Sequence, residues 1–161
     1  MSQAIISDSS SLIMVTKLER LDLLTNLFQH IYIPQRVAEE ITAEESNVAR
    51  AVLNHPAFSV VASTDHHLLA LLDGTLDYGE AEALTLAQER QLLLLIDEKK
   101  GRKIAKNMGL KIIGLLGVLL LNQRRGHIIT SEALDLLAQI KRMNFRLSAQ
   151  LESDFLQQLQ R

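Results

Sequence analysis

Apolar residues along the chain fall into two alternating patterns. Short runs of strand length occupy residues 4–6, 31–33, 58–61, 92–96 and 111–113. Between them lie longer stretches in which apolar positions recur at helical spacing. Ser9 to Ser11 offer capping side chains to a helix containing Leu12, Ile13, Val15 and Leu18,. A second helix is expected over roughly 20–28. Pro34 suits the first turn of a helix carrying Val37 and Ile41, and the spacing continues through Val48, Val52 and Leu53,. Further helices are expected over 79–90, around Ile104 and Met108, and over 114–124 despite its glycines. From Thr130 two amphipathic helices close the chain. The last is capped near Ser148 and gathers Leu147, Leu151, Phe155, Leu156 and Leu159 on one face,.

Strands alternating with helices imply βαβ crossovers, hence an α/β fold with a parallel sheet covered on both faces. The wholly apolar run 92–96 is what such a doubly covered sheet requires of a central strand. The chain has 161 residues without a repeat, linker or low-complexity tract, which fits a single domain over 1–161,. Its last helices, about 130–161, would pack on the body or on a partner. Hydrophobic residues make up 47% and charged residues 22%, proportions of a soluble globular protein rather than a disordered one,. The longest apolar run, 112–121, is too short to cross a bilayer, and no secretory signal is visible at the N-terminus,. A soluble, cytoplasmic protein is expected. The absence of cysteine excludes disulfides, thiol catalysis and cysteine-ligated metals,. A net charge of −2 gives no global basic field, so nucleic-acid binding would have to rest on a local patch,.

The acids carry the chemistry. Ligands of open parallel sheets bind beyond the carboxyl ends of the strands. Asp8 follows the first strand and Asp97 ends the Leu-rich one, so parallel strands would deliver both to one edge. Each could instead cap the helix that follows it. In the helix over 79–90, at about 100° per residue, Ala81, Leu84 and Ala87 form an apolar stripe that includes Glu80. Glu82 lies opposite and is expected in solvent. On the earlier helix, Val37 and Ile41 mark the buried side, Glu40 flanks it, and Glu39 points away. Asp8, Glu40, Glu80 and Asp97 would therefore meet at one edge, where mutual repulsion calls for protons or a cation. With no cysteine and no regularly spaced histidine, oxygen ligation favours Mg²⁺ or Mn²⁺. Such an ion activates water and steadies the oxyanions of a phosphodiester, with Glu80 or Glu40 taking the proton. Lys99, Lys100, Arg102 and Lys103 follow at once, placed either to hold phosphates or to form a solvated helix face.

At these residues the sequence resembles the PIN-domain family. It is closest to the branch described only as a domain of unknown function, related to VapC-type toxins. The likeness rests on "IISDSSSLI", "IPQRVAEEI", "LDYGEAEAL", "LLLLIDEKKGRKIAKNMGLKIIGLLGVLL" and, more weakly, "RLSAQLESDFLQQL". It implies a three-layer α/β/α sandwich around a mostly parallel sheet and a metal-dependent ribonuclease site of three or four acids. Carried over, the D-x-S motif falls on Asp8 and Ser10, the acid of P-x-x-V-x-x-E on Glu40, the acid of the third motif on Glu80, and the strand-ending acid on Asp97. Asp8, Glu40 and Asp97 would be metal ligands, directly or through water, and Ser10 would orient Asp8 or a water. Two departures matter: many relatives have Asp where this chain has Glu80, and Glu98 competes with Asp97 for the last position. The resemblance further implies an RNA substrate, the toxin role in a toxin–antitoxin pair with a small antitoxin partner, and a homodimer.

Other α/β readings lack their motifs. A haloacid-dehalogenase-type phosphatase needs D-x-D where this chain has Ser10, and neither nucleotide-binding glycine signature occurs,. His66 and His67, adjacent on one helix, diverge too far to share a metal. The rival from another class is a PIN-like module that binds RNA or a protein partner without catalysis.

Overall fold

A computed structural model describes residues 3–161. The chain runs β1 (Ala4–Ser7), α1 (Ser9–Lys17), α2 (Asp22–Thr25), β2 (His30–Pro34), α3 (Gln35–Glu44), α4 (Ser46–Leu53) and β3 (Phe58–Val61). It continues through α5 (His66–Asp73), α6 (Tyr78–Arg90), β4 (Leu93–Leu95), α7 (Lys99–Asn107), β5 (Ile112–Ile113), α8 (Leu115–Arg124), α9 (Thr130–Arg142) and α10 (Ala149–Leu159). All four strand pairings are parallel, in the order β3-β2-β1-β4-β5.

Alternation along the strands builds two cores. Ile5 of β1 and Ile31 and Ile33 of β2 face one side, packed under α1, α3, α4, α8, α9 and α10. Ile6 of β1, Leu94 of β4 and the following Ile96 face the other, packed under α5, α6 and α7. The result is a three-layer α/β/α sandwich with a wholly parallel sheet. β1 pairs Ile5 with Ile31 on one flank and Ile6 with Leu94 on the other. Chain order reverses at this strand, so the crevice beyond its carboxyl end is the switch point at which such sheets bind ligands.

Local chemistry shifts several expected boundaries. The expected helix over 20–28 is a single turn, α2, flanked by turns that bring Leu27 and Phe28 into the core. The helical spacing from Val37 to Leu53 belongs to two helices, because Glu45 adopts φ −136°, ψ 63° and breaks the run. Pro34 ends β2 and stands just before α3 rather than in its first turn. The cap of α1 is Asp8 rather than Ser9 to Ser11, and it accepts from the Ser11 N–H at 3.2 Å. Ser148 caps α10 as its position predicts, accepting from the Leu151 N–H. α9 and α10 seat Leu136, Ile140, Phe155 and Leu159 in the first core. Among the described residues no helix is long and apolar enough to cross a membrane.

Candidate active site

Beyond the carboxyl ends of β1 and β4 lies a cleft of about 310 Å³. Asp8, Ser10, Glu40, Glu80, Asp97 and Glu98 all line it, joined by Asp77 and by Asn144, Phe145 and Arg146 from the α9–α10 connection. Asp8 is delivered by β1, whose ladder extends one step as the Asp8 N–H donates to Leu95 O at 3.0 Å. Asp97 follows β4 by two residues, and its own N–H donates to Asp8 Oδ2 at 3.3 Å. The two carboxylates of the central strands are therefore held side by side through the backbone. The Ser10 hydroxyl donates to Asp8 Oδ2 at 3.2 Å, which places Ser10 where it orients that acid. The Ser11 hydroxyl donates to Asp97 Oδ2, and the Leu115 N–H at the start of α8 donates to both Asp97 oxygens.

Glu80 and Glu98 form a second pair. Glu98 caps α7 by accepting from the Gly101 N–H at 2.7 Å, so it is a structural cap as well as part of the cleft wall. Glu80 points from the first turn of α6. Its Oε2 is buried and no hydrogen-bond donor reaches it. Only a proton shared with Glu98 would join the two carboxyls. Gly101 leaves the room both need, since a Cβ there would stand 3.0 Å from Glu80 Oε2 and 2.6 Å from Ile96 Cδ1. Glu40 enters from α3 against Gly79, whose missing Cβ would lie 2.8 Å from Glu40 Oε1.

These carboxyls are hard to ionise where burial and mutual charge meet. Burial, then the neighbouring charge of Asp97, pushes Asp8 up to about 7, outweighing the hydrogen bonds from Ser11, Asp97 and Ser10. Burial, then Glu98, pushes Glu80 up to about 8. Burial also raises Glu40 and Asp97, in the latter case against the Ser11 and Leu115 hydrogen bonds and the charge of Arg102. A wall of oxygen donors with excess negative charge and an orphaned buried oxygen fits a hard divalent cation in chemistry. In the present side-chain arrangement, no three acids or histidines among the described residues converge as a ready ligand set.

The basic cluster is placed differently from the acids. Lys99, Lys100, Arg102 and Lys103 do not line the cleft. The three lysines are exposed on α7. Arg102 turns back to donate to Ile96 O at 2.7 Å and lines a neighbouring depression on the far side of Asp97. Among the described residues, the one cation on the cleft wall is Arg146, from the α9–α10 connection about fifty residues further along. No sequence signal near the acids pointed to it, because only packing of the last helices brings it there.

Glu82 corrects the helical-wheel expectation. It is 4% exposed, not solvated. Its carboxylate accepts from the Arg36 N–H at 2.8 Å and from the Ser63 N–H and hydroxyl at 3.2 and 3.0 Å. α6 is buried on nearly every side, from Ala81 to Ala87, because α3, α5 and the sheet all pack against it. A one-sided wheel has no meaning for such a helix. Arg36, in turn, donates to Tyr78 O at 3.1 Å and pairs with Asp73. Glu82 and Arg36 together fix the start of α3 against the start of α6, the two elements that carry Glu40 and Glu80.

The fold and site together define a parallel α/β/α sandwich with an acid-lined cleft at its switch point. The family model DUF3368, described as a PIN domain, matches residues 4–161. The chain belongs to the PIN-domain family. Among solved structures it is similar to the crystal structure of PAE2754 from Pyrobaculum aerophilum, at 16% identity and TM-score 0.53, covering 86% of this chain and 99% of that one. No curated protein matches the sequence significantly.

Proposed function

We propose that the protein is a divalent-metal-dependent ribonuclease acting on single-stranded or structured RNA. The observation that carries this proposal is the meeting of Asp8, Glu40, Glu80, Asp97 and Glu98 in one cleft, with Asp8 and Glu80 forced up to about 7 and 8. Asp8, Asp97 and Glu40 are the residues that would hold a Mg²⁺ or Mn²⁺ ion. When bound, such an ion lowers the pKa of water and neutralises charge on a phosphodiester. Ser10 steers Asp8, while Ser11 and the Leu115 N–H fix Asp97, so these two acids present their oxygens with little freedom. Glu80, whose Oε2 meets no donor, would serve in its deprotonated form as the base that takes the proton of the attacking water,. A toxin role beside a small antitoxin protein, with homodimer formation, is supported by the family likeness and belongs to the same proposal.

A non-catalytic PIN-like module that binds RNA or a protein partner is the second reading. It is favoured by the engagement of both Asp97 oxygens in local hydrogen bonds. The test is cleavage of single-stranded RNA by purified protein in Mn²⁺ or Mg²⁺, with Asp8→Asn alongside. Activity lost in chelator and reduced at least about a hundredfold in Asp8→Asn is expected for the enzyme. Equal activity in the two proteins, or none in wild type with either metal, sinks it.

A further inference from the structure

We infer that Arg146 is the phosphate-binding residue of the acid cleft, holding an RNA phosphate next to the one the acids act on. This rests on the ribonuclease reading of the site, and it replaces the basic residues of α7 as the contact. A phosphodiester chain entering a wall of carboxylates is repelled wherever no positive charge answers it. Among the described residues lining the cleft, Arg146 is the only one that carries positive charge. Its side chain is exposed and makes no ion pair or hydrogen bond within the described structure.

The connection that carries Arg146 is fixed at both ends. α9 stops in a Schellman motif: the Phe145 N–H donates to Ile140 O at 3.2 Å and the Asn144 N–H to Lys141 O at 3.1 Å,. Asn144 takes the left-handed position of that motif, at φ 62°. Four residues later Ser148 caps α10. Phe145 and Leu147 pack against the first core, and Ile140, the partner of Phe145 in the motif, is buried in it. The alternation leaves Arg146 between two packed neighbours and turned outward at the cleft. The anchored backbone fixes where the guanidinium projects, and its planar fork suits a pair of charge-assisted bonds to a phosphate,.

The experiment measures binding of a fluorescent single-stranded RNA oligonucleotide to the whole protein in chelator, where no cleavage occurs. Wild type is compared over a salt series with Arg146→Ala, Arg146→Lys and the charge-matched control Lys106→Ala at the far end of α7. Arg146→Ala is expected to weaken binding roughly tenfold. The slope of log affinity against log salt should fall by about 0.7, one phosphate contact on a single strand. Arg146→Lys recovers part of the loss, and Lys106→Ala stays near wild type. If wild type cleaves RNA in Mn²⁺ or Mg²⁺ while Arg146→Ala binds with unchanged affinity and slope, the inference falls and the ribonuclease reading stands. Arg146-dependent binding without cleavage by wild type upholds the inference and overturns catalysis. No RNA binding by wild type overturns the inference. A lowered melting temperature in Arg146→Ala with no change in binding also overturns it, making Arg146 a counter-ion of the acids instead.

Discussion

Glu82 shows how a single side chain can be misread from its neighbours. It shares a helix with Glu80 and is two residues away, yet one faces the cleft and the other is sealed among Arg36 and Ser63. A buried acceptor that satisfies three donors is costly to remove, because each abandoned N–H keeps its desolvation penalty. Glu82→Ala should cost about 2 kcal/mol, seen as a lower urea midpoint at constant slope, while Glu82→Gln should cost much less. A Glu82→Ala protein as stable as wild type would mean those donors find water instead. Asp8 and Asp97 were legible one residue at a time, since each follows an apolar strand run. Their double character, as hydrogen-bonded groups at helix starts and as facing carboxylates, was not, because it depends on which strand lies next to which. Glu98 and Asp97 stand differently at the end of β4, though both line the cleft. It caps α7 and repels Glu80, whereas Asp97 sits beside Asp8.

At the level of elements, the starts of α1, α6 and α7 and the middle of α3 meet at the cleft, and close approach of α6 to α3 and to α7 is permitted by glycine. Adding a methyl at Gly79 places it 2.8 Å from Glu40 Oε1 and 3.1 Å from Val37 Cγ2. Alanine gains about 1 kcal/mol of helix propensity over glycine, which offsets much of the crowding. The flexible end of Glu40 yields before the buried Val37 does. Gly79→Ala should therefore change melting temperature little but lower RNA cleavage about tenfold by displacing Glu40. Unchanged turnover in this variant would remove Glu40 from the active arrangement. Most elements were legible from period and turn chemistry, including the edge strand β3, the broken apolar run that became α8, and the Ser148 cap. The split between α3 and α4 was not, because the apolar spacing runs on unbroken while the backbone turns at Glu45.

For the molecule as a whole, the acid cleft should appear as a stability that depends on pH and on metal. Asp8 and Glu80 have folded values near 7 and 8, above their ordinary 3.8 and 4.5. Between those limits the folded state binds more protons than the unfolded chain, so stability falls as pH rises. The penalty is absent below about pH 4 and complete above about pH 8. In chelator, the melting temperature should fall as pH rises from 5 to 8, with Asp8 contributing more than the half-buried Glu80, whose charge solvent partly screens,. Mn²⁺ should restore most of that loss at pH 8 and little at pH 5, because it binds the deprotonated acids. Asp8→Asn, which removes one charge of the pair, should flatten the pH dependence. A melting temperature that rises with pH in chelator, or ignores Mn²⁺ at pH 8, would contradict this account of the cleft.

The sequence by itself determined the layered architecture, through apolar periods of two and of three to four, and it determined that Asp8 and Asp97 leave strand ends on one edge. Those features are local: a strand run, a cap or a helix stripe is written within about ten residues. Only the tertiary structure decided that Glu82 is buried and that the basic run of α7 lies outside the cleft while Arg146 lies on its wall. Each of these depends on elements far apart in sequence that are brought together by packing, and the identity of a packing neighbour is not encoded in the spacing of the residues it meets.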